Sequence, residues 1–147
     1  MKEITFSSDK NLVNYDEVSE LYESVGFGSS HVYKEDLEYE KSFMSEQVYG
    51  FFAFSPSGKL VGMLRIFSDN KICSWIAEIC VHPKYQKNGI GSHLMGMLNE
   101  HFGHTAVYVN ALAGSEGFFE KHGIKPKEKL ISCSRAGTPS QDKPFIH

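Results

Sequence analysis

The residues best suited to chemistry form a short glycine-rich turn at positions 86–91, Gln-Lys-Asn-Gly-Ile-Gly. The apolar run from Trp75 to Val81 precedes the turn and predicts a buried strand, and apolar residues recur at helical spacing from Ser92 to Phe102. A strand-to-helix turn leaves several backbone N–H groups without partners at the positive end of the helix dipole. The sequence therefore predicts a binding site for an anionic phosphate group.

The type of phosphate ligand is narrowed by the spacing of the glycines. Gly89 and Gly91 lack a Cβ, so a ligand can approach the main chain closely, and Lys84 and Lys87 add positive charge. The loop G-x-x-x-x-G-K-S/T is absent, which disfavours an ATPase or GTPase. The dinucleotide pattern G-x-G-x-x-G fails because Leu94 stands at its third glycine. What is left is a Q-x-x-G-x-G run.

This run, which begins at Gln86, resembles the signature R/Q-x-x-G-x-G/A of the GNAT superfamily of acetyl-coenzyme A-dependent N-acetyltransferases. Other stretches resemble further family segments in the expected order: Leu21–Phe27 is similar to L-Y-x-x-V-G-W, Leu60–Gly62 with Arg65 and Asp69 to the third strand and its hairpin, and Asn110 with Phe118–Ile124 to an asparagine followed by F-Y-E-K-x-G-F. The chain is therefore identified as a small single-domain member of the family over residues 1–147.

Composition agrees with one globular domain and excludes several other classes. The chain has 147 residues, of which 41% are hydrophobic, enough to bury a core and too many for a disordered protein. A formal net charge of −3 gives no bulk attraction to nucleic acid or to an acidic membrane, so neither is expected as a partner. No apolar run is long enough to span a bilayer, and Met1-Lys2-Glu3 does not open a signal peptide.

The cysteines and histidines suggest neither disulfides nor a metal. Cys73, Cys80 and Cys133 are odd in number and show no C-x-x-C spacing, so reduced thiols in the cytoplasm are the simplest interpretation. His101 and His104 are spaced like metal ligands, but they have no cysteine or carboxylate partner nearby, so no metal site is expected.

Periodicity and the resemblance together predict an α/β fold with one mostly antiparallel sheet of about six to seven strands, splayed in the middle, and helices on both faces. The predicted strands span residues 4–6, 48–54, 59–67, 71–81, 105–110 and 129–134. The predicted helices are one from N-cap Asn14 to Gly26, one over 33–45 with Leu37 and Met44 directed inward, one over 92–102 and one over 115–122. Residues 136–147 are polar and contain prolines, so a flexible tail is the expectation there.

The resemblance implies how acetyl-coenzyme A would bind. The strands on either side of the long helix would separate, and the pantetheine arm would enter the gap along the main chain of Ile79, Cys80 and Val81. The turn would hold the diphosphate through Gln86, Lys87, Asn88, Gly89, Ile90, Gly91 and Ser92. A neutral amine would attack the thioester carbonyl directly, and a backbone N–H near Cys80 or Val81 would stabilise the oxyanion.

Glu78 is the candidate general base. An alkylamine has a pKa of about 10 and must lose a proton before it attacks, and family members often carry Glu or Asp at this place. Strand alternation predicts that Glu78 shares a face with Ile76 and Cys80, opposite Ile79 and Val81. The alternative is a structural carboxylate, or one that binds the ammonium of the substrate.

The chain departs from the family at Phe119, where many members have a tyrosine that protonates the leaving thiolate. A phenyl ring cannot donate a proton, so Tyr108, another side chain or water would replace it, or the thiolate would leave unaided. Phe119 is expected beside the acetyl end of the cofactor or in the core. Asn110 is expected at the pantetheine or as a turn residue at the end of a strand.

The acceptor contacts predicted from the resemblance are Phe27, Tyr33 and Glu78. The two aromatic residues, with Tyr22, would form a wall for an amine or simply pack in the core. Arg65 and Asp69 are expected to pair within their hairpin or to line the acceptor cleft.

The predicted function is acetyl transfer to the primary amine of a small molecule. Two alternatives stay open: acetylation of a protein N-terminus or lysine, and a catalytically weak acyl-coenzyme A sensor, which Phe119 makes worth keeping. Members of the family are often dimers, so a homodimer is also left open.

Overall fold

The computed structural model of the chain describes residues 3–137. Within them it contains one five-stranded sheet with the strands in sequence order, antiparallel from β1 to β4, with β5 parallel to β4. The strands are β1 (Thr5–Ser7), β2 (Val48–Phe54), β3 (Leu60–Ser68), β4 (Cys73–Val81) and β5 (Ala106–Val109). The helices are α1 (Tyr15–Ser24), α2 (Ser30–Glu35), α3 (Tyr39–Met44), α4 (Ile90–Phe102) and α5 (Glu116–Glu120), with 3₁₀ turns at Lys10–Leu12 and Pro83–Tyr85.

Two hydrophobic cores lie on opposite faces of the sheet. On the α4 face, Phe51 and Ala53 of β2 pack in one core with α4. On the α1 face, Phe52 and Phe54 pack in a second core with residues from α1, α2 and α3. This alternation follows from the two-residue period of a strand, so β2 is buried on both sides. The predicted mixed α/β sheet with helices on both faces is confirmed.

The first helix follows the sequence signals closely. The side chain of Asn14 accepts the N–H of Asp16 and caps the helix, as predicted. The helix ends before Gly26, whose φ of +84° lies in the left-handed region that glycine adopts without strain.

The single helix predicted over 33–45 is wrong in its continuity. The side chain of Asp36 accepts the N–H of Glu38 and forms a turn, which divides the segment into α2 and α3. The break changes which side chains face the sheet. Leu37 is 87% exposed and Met44 is also exposed, whereas Tyr33 and Phe43 are buried in their place.

The strand predicted over 129–134 is also wrong, and the described residues form five strands rather than six or seven. Leu130 and Ile131 are consecutive, so a strand would direct them to opposite faces, and both are exposed. The predicted tail over 136–147 lies outside the described residues from position 138 onward.

A β-bulge in β4 decides the direction of Glu78. Arg65 pairs with Glu78 and Ile66 pairs with Ile76, so Ala77 is an extra residue in β4. Ile76 therefore packs on the α4 face, while Glu78 contacts Arg65 and Cys80 packs on the α1 face. The predicted shared face of Glu78 and Cys80 is confirmed, but the prediction for Ile76 is wrong because a bulge reverses the alternation.

The sheet opens between β4 and β5. The two strands pair only from Cys73 with Ala106 to Ile76 with Val109. Beyond Ile76, β4 continues through the bulge at Ala77 to Val81. Residues 78–81 pair with β3, and no strand lies on their β5 side among residues 3–137. This gap confirms the predicted splay and creates a cleft.

None of the helices within residues 3–137 combines the length and the apolar character needed to cross a membrane.

Candidate active site

Two cavities lie side by side along the opening between β4 and β5. The cleft cavity has a volume of about 230 Å³ and is lined by Phe27, Ile76–Ile79, Val109–Leu112, Ser115, Phe118 and Phe119. The turn cavity has a volume of about 620 Å³ and is lined by Ile79, Val81, Tyr85–Lys87, Gly89–Ser92, Ser115, Phe118 and Lys121. Both cavities use Ile79, Ser115 and Phe118, so they adjoin. An elongated ligand can occupy both.

The glycine turn has the backbone that the sequence predicts for an anion site. Gly89 has a φ of +80° and precedes α4 at the N-cap position, where no side chain caps the helix. The N–H groups of the first helical turn are therefore available to a ligand in the turn cavity. A Cβ on Gly91 would stand 3.3 Å from the ring of Phe118, so the absence of a side chain leaves space at this point.

Several predicted turn residues use their side chains to shape the loop. The Gln86 amide donates to the carbonyl of Val81 at 2.8 Å, and the Asn88 amide donates to the carbonyl of Tyr85 at 3.3 Å. Ile90 is buried and packs in the core on the α4 face, so it can offer only its N–H to a ligand.

Charge around the turn cavity comes from a different pair of lysines than predicted. Lys87 lines the cavity, with Ser92 exposed beside it, whereas Lys84 is not among the lining residues. Lys121 supplies the second ammonium group. Two ammonium groups and a helix N-terminus give the cavity a positive field, which suits a diphosphate.

The β4 residues beside the gap divide between the two faces of the sheet. The side chains of Ile79 and Val81 border the turn cavity. Cys80 is buried on the α1 face, and burial raises the pKa of its thiol well above the ordinary value. Because only a thiolate is an effective nucleophile, Cys80 is a packing residue, as the sequence suggested.

Glu78 lines the cleft cavity, and hydrogen bonds from Arg65 and Tyr22 hold its carboxylate in place. Its Oε1 accepts the Nε–H of Arg65 at 2.8 Å, and its Oε2 accepts from Nη2 of Arg65 at 3.0 Å. The hydroxyl of Tyr22 also donates to Oε1. The side chains of Arg65 and Glu78 are only 14% and 7% exposed, so this is a nearly buried bidentate ion pair.

The predicted pairing of Arg65 with Asp69 is therefore wrong. Asp69 is exposed at the β3–β4 turn, where its Oδ1 accepts the N–H groups of Lys71, Ile72 and Cys73. These hydrogen bonds lower the pKa of the Asp69 carboxyl below its ordinary value, with that from Lys71 first.

Tyrosines surround the ion pair on the α1 face. Burial, followed by the charge of Glu78, raises the pKa of Tyr22 well above its ordinary value. The Tyr39 ring packs edge-on against Tyr22 and at a tilt against Tyr33, with ring centroids 6.4 Å and 5.1 Å away. Burial raises the pKa of Tyr39 as well.

The two predicted aromatic acceptor contacts occupy different depths. Phe27 lines the cleft cavity. Tyr33 is buried behind it, and its hydroxyl donates to the carbonyl oxygen of Phe27. Tyr33 thus supports the loop that carries Phe27.

The residues after α4 separate into those at the cleft and those beyond it. Asn110 borders the cleft cavity, and its Oδ1 accepts from the hydroxyl of Ser132 at 2.9 Å. Phe119 is buried in the α4-face core and also reaches the cleft cavity. Tyr108 is not among the lining residues of the cleft cavity, and the hydroxyl group there belongs to Ser115.

Sequence reasoning missed Ser115, Phe118 and Lys121, all of which line the turn cavity. They recur every third residue around α5, which is the spacing of one helix face. The three-residue spacing is a signal that identifies these side chains as one helix face. The resemblance to the family motif indicates Phe119 instead, which is adjacent to Phe118 but does not line the turn cavity.

A sheet that opens beside an uncapped helix N-terminus forms a site that suits an elongated, phosphate-bearing ligand. The chain belongs to the acetyltransferase (GNAT) family, whose family model matches residues 15–124.

Known relatives are distant. The chain is 26% identical over 93 residues to an uncharacterized N-acetyltransferase, ycf52, of Gracilaria tenuistipitata var. liui, which covers 63% of this chain and 50% of the relative. The chain thus spans about half the length of this curated relative.

Solved structures share the fold. A GNAT-family acetyltransferase from Streptococcus pneumoniae TIGR4 is 22% identical with a TM-score of 0.66, over 90% of this chain and 99% of that chain. Glucosamine-6-phosphate N-acetyltransferase from Arabidopsis thaliana is 13% identical with a TM-score of 0.67, over 90% of this chain and 99% of that chain. The enzyme AAC(6′)-Iy, in complex with the bisubstrate analogue CoA-S-monomethyl-acetylneamine, is 11% identical with a TM-score of 0.68, over 92% of this chain and 100% of that chain.

Proposed function

We propose that the chain is an acetyl-coenzyme A-dependent N-acetyltransferase that transfers an acetyl group to the primary amine of a small molecule. The proposal rests on the uncapped first turn of α4, which opens onto a cavity that continues into the β4–β5 gap. Membership of the family supports it.

The residues present fit coenzyme A. The N–H groups from Gly89 to Ser92 would hold the diphosphate, Lys87 and Lys121 would offset its charge, and a side chain at Gly91 would narrow the space. Main-chain groups from Ile79 to Val81 would bind the pantetheine arm. Bound acetyl-coenzyme A supplies an activated thioester, so the protein need not form a covalent intermediate.

The chemical step proceeds by direct attack in a ternary complex. A bond forms between the amine nitrogen and the acetyl carbon, the carbon–sulfur bond breaks, and the sulfur keeps the electron pair. The amine loses two protons in all, the first before attack and the second as the amide forms. One of them, or a solvent proton, neutralises the thiolate.

Glu78 is the proposed base, acting directly or through water. Because both of its oxygens already accept from Arg65 and Tyr22, a proton taken directly would weaken one of these bonds. The alternative is a positioning role, in which the ion pair orients the cleft wall. The pH dependence of kcat/KM separates the two, since an acidic limb that disappears in Glu78→Gln is expected only for the base.

The thiolate would leave without a tyrosine. Phe119 cannot donate a proton, and Ser115 is the hydroxyl-bearing residue that lines both cavities. Water or Ser115 is therefore the proposed proton source.

A second candidate is an acyl-coenzyme A sensor with little activity. The occupied oxygens of Glu78 and the absence of a phenol at Phe119 both favour it. A role in peptide acetylation gains less support, because Glu78 is the one carboxylate that the described part of the chain, residues 3–137, places in the lining of the cleft and turn cavities.

Thiol release from acetyl-coenzyme A across a panel of amines tests the proposal. We expect release with at least one amine, loss of cofactor binding in Gly91→Asp, and retained cofactor binding with slower turnover in Glu78→Gln. Tight cofactor binding without acetylation of any amine would favour the sensor. If the protein does not bind coenzyme A, both the acetyltransferase and the sensor are excluded.

The proposed location is the cytoplasm, because all three cysteines are free thiols, as a reducing compartment would keep them. A homodimer stays a proposal that sedimentation velocity would test.

A further inference from the structure

Three exposed aromatic rings form a row across neighbouring strands. Phe67 of β3 pairs with Trp75 of β4, and Trp75 pairs with Tyr108 of β5. The rings of Trp75 and Tyr108 are stacked with centroids 5.7 Å apart. The three residues are between 40% and 42% exposed, which is unusual for large rings that are side by side in a sheet.

The bulge at Ala77 brings this row to the reacting side of the sheet. Three positions separate Trp75 from Glu78, so a regular strand would direct them to opposite faces. The extra residue reverses the alternation and places both on the α1 face. Arg65, the partner of Glu78, also lies over the Phe67 ring at 5.2 Å. The aromatic row and the ion pair therefore lie side by side on the same face of the sheet.

A third cavity is lined by two of the three rings, Trp75 and Tyr108, and meets the cleft cavity. This β5 cavity has a volume of about 590 Å³, and its walls include Trp75, Tyr108, Leu130 and Ile131. It shares Val109 and Asn110 with the cleft cavity. Its volume falls in the range of small-molecule sites, about 300–1,000 Å³. The turn, cleft and β5 cavities thus follow one another, with Glu78 at the middle one.

Charge restricts what can occupy the β5 cavity. Among residues 3–137, its lining contains Lys125 and Lys127 and no carboxylate. Glu78, in the neighbouring cleft, is already matched by Arg65. A ligand with several ammonium groups would therefore meet positive charge without compensation, whereas an apolar ring would meet aromatic and aliphatic walls.

We propose that the acceptor is a monoamine with a flat aromatic body, which stacks on Trp75 and Tyr108 and directs its amine toward Glu78. This inference rests on the proposed function, and it narrows the acceptor from all primary amines to one class. Polyamines and amino sugars are poor acceptors on this account.

Turnover with matched amines tests the proposal. The probes are 2-phenylethylamine, n-butylamine, spermidine and glucosamine, each with saturating acetyl-coenzyme A. We expect kcat/KM for 2-phenylethylamine to exceed the other three by at least 10-fold. Trp75→Ala should reduce kcat/KM for 2-phenylethylamine about 30-fold while changing kcat/KM for n-butylamine less than 3-fold.

Ile72→Ala is the control, because Ile72 is an exposed apolar residue in the same hairpin. This substitution should leave kcat/KM for both amines unchanged.

Fluorescence provides a readout that does not depend on turnover. Trp75 is the single tryptophan of the chain. An aromatic amine that stacks on it should therefore quench or shift the tryptophan emission, and the change should saturate as the amine concentration rises. Saturable quenching by 2-phenylethylamine but not by spermidine is the expected result, even if no amine is acetylated. In that case the aromatic-amine site stands while the proposed function fails.

Other outcomes would overturn the inference. Spermidine or glucosamine as the best acceptor would contradict it, as would the absence of saturable quenching. If Trp75→Ala converts a dimer into a monomer in sedimentation velocity and slows all amines equally, the row is an interface between two copies instead.

Discussion

Glu78 lines the candidate active site and also forms a nearly buried ion pair. It lines the cavity where transfer would occur, yet it is held by the guanidinium of Arg65 and the hydroxyl of Tyr22. A pair this buried costs desolvation energy when it forms, and the larger penalty comes from removing one partner. The surroundings of Glu78 therefore fix its position more firmly than a solvent-exposed base would need.

Removal of this carboxylate should destabilise the fold. Glu78→Gln leaves Arg65 without its charge partner, so we expect the free energy of unfolding to fall by about 3 kcal/mol. The control is Glu20→Gln, which breaks an exposed pair with Lys34 at 3.1 Å and should cost under about 1 kcal/mol. Urea unfolding measures both.

Arg65→Gln completes a double-mutant cycle with Glu78→Gln. A coupling energy of about 1–3 kcal/mol between the two sites is expected for residues in direct contact. A Glu78→Gln variant no less stable than Glu20→Gln would show that the ion pair does not support the fold.

The position of Glu78 beside the opening of the sheet could be predicted from the sequence, but its partner could not. Asp69 was an equally charged candidate for Arg65, and nothing local distinguished the two. The difference comes from the bulge at Ala77, which depends on how β4 meets β3 and has no marker in the residue itself.

At the scale of elements, the N-terminus of α4 is the part of the site that the sequence defines best. Position 89 has a backbone conformation in the left-handed region, and position 91 has little space for a side chain beside Phe118. Glycine suits both positions because it has no Cβ. Local signals of this kind also located α1 between Asn14 and Gly26. The segment divided at Asp36 was predicted less well, because a single side-chain hydrogen bond with Glu38 interrupts its helical pattern, and so was the irregular segment after β5.

A side chain at Gly91 should weaken cofactor binding selectively. Gly91→Val would crowd the Phe118 ring and hold the diphosphate away from the main chain, so we expect the Kd for coenzyme A to rise about 10- to 100-fold. Isothermal titration calorimetry measures the change.

Gly96→Ala is the matched control in the same helix. A Cβ there would meet no atom within 4 Å, so the fold should gain up to about 1 kcal/mol while the Kd stays unchanged. Equal Kd values for Gly91→Val and Gly96→Ala would argue against a close approach at Gly91.

The whole molecule combines two cores with a tyrosine cluster in one of them, and this gives its stability a pH limit. Burial raises the pKa of Tyr22 well above its ordinary value, and burial with the charge of Glu40 raises the pKa of Tyr15 to about 12. In the unfolded chain these phenols ionise near pH 10. Above that pH the unfolded state binds fewer protons than the native state, so stability falls as the pH rises.

Urea midpoints should therefore decrease steadily from pH 10 to 12. Phenolate absorbance of the buried tyrosines should appear only as the protein unfolds. Tyr22→Phe removes one of these groups and should reduce the slope by up to about 1.4 kcal/mol per pH unit. An identical slope in Tyr22→Phe would show that Tyr22 ionises freely in the native state.

The central claim is that main-chain amides at the start of α4 bind the diphosphate of coenzyme A. Amide chemical shifts in a ¹⁵N-labelled protein test it most directly. We predict large, saturable shifts of Ile90, Gly91 and Ser92 with coenzyme A, and much smaller ones with pantetheine, which has no diphosphate. Unchanged signals at these three residues, with shifts elsewhere, would contradict the claim.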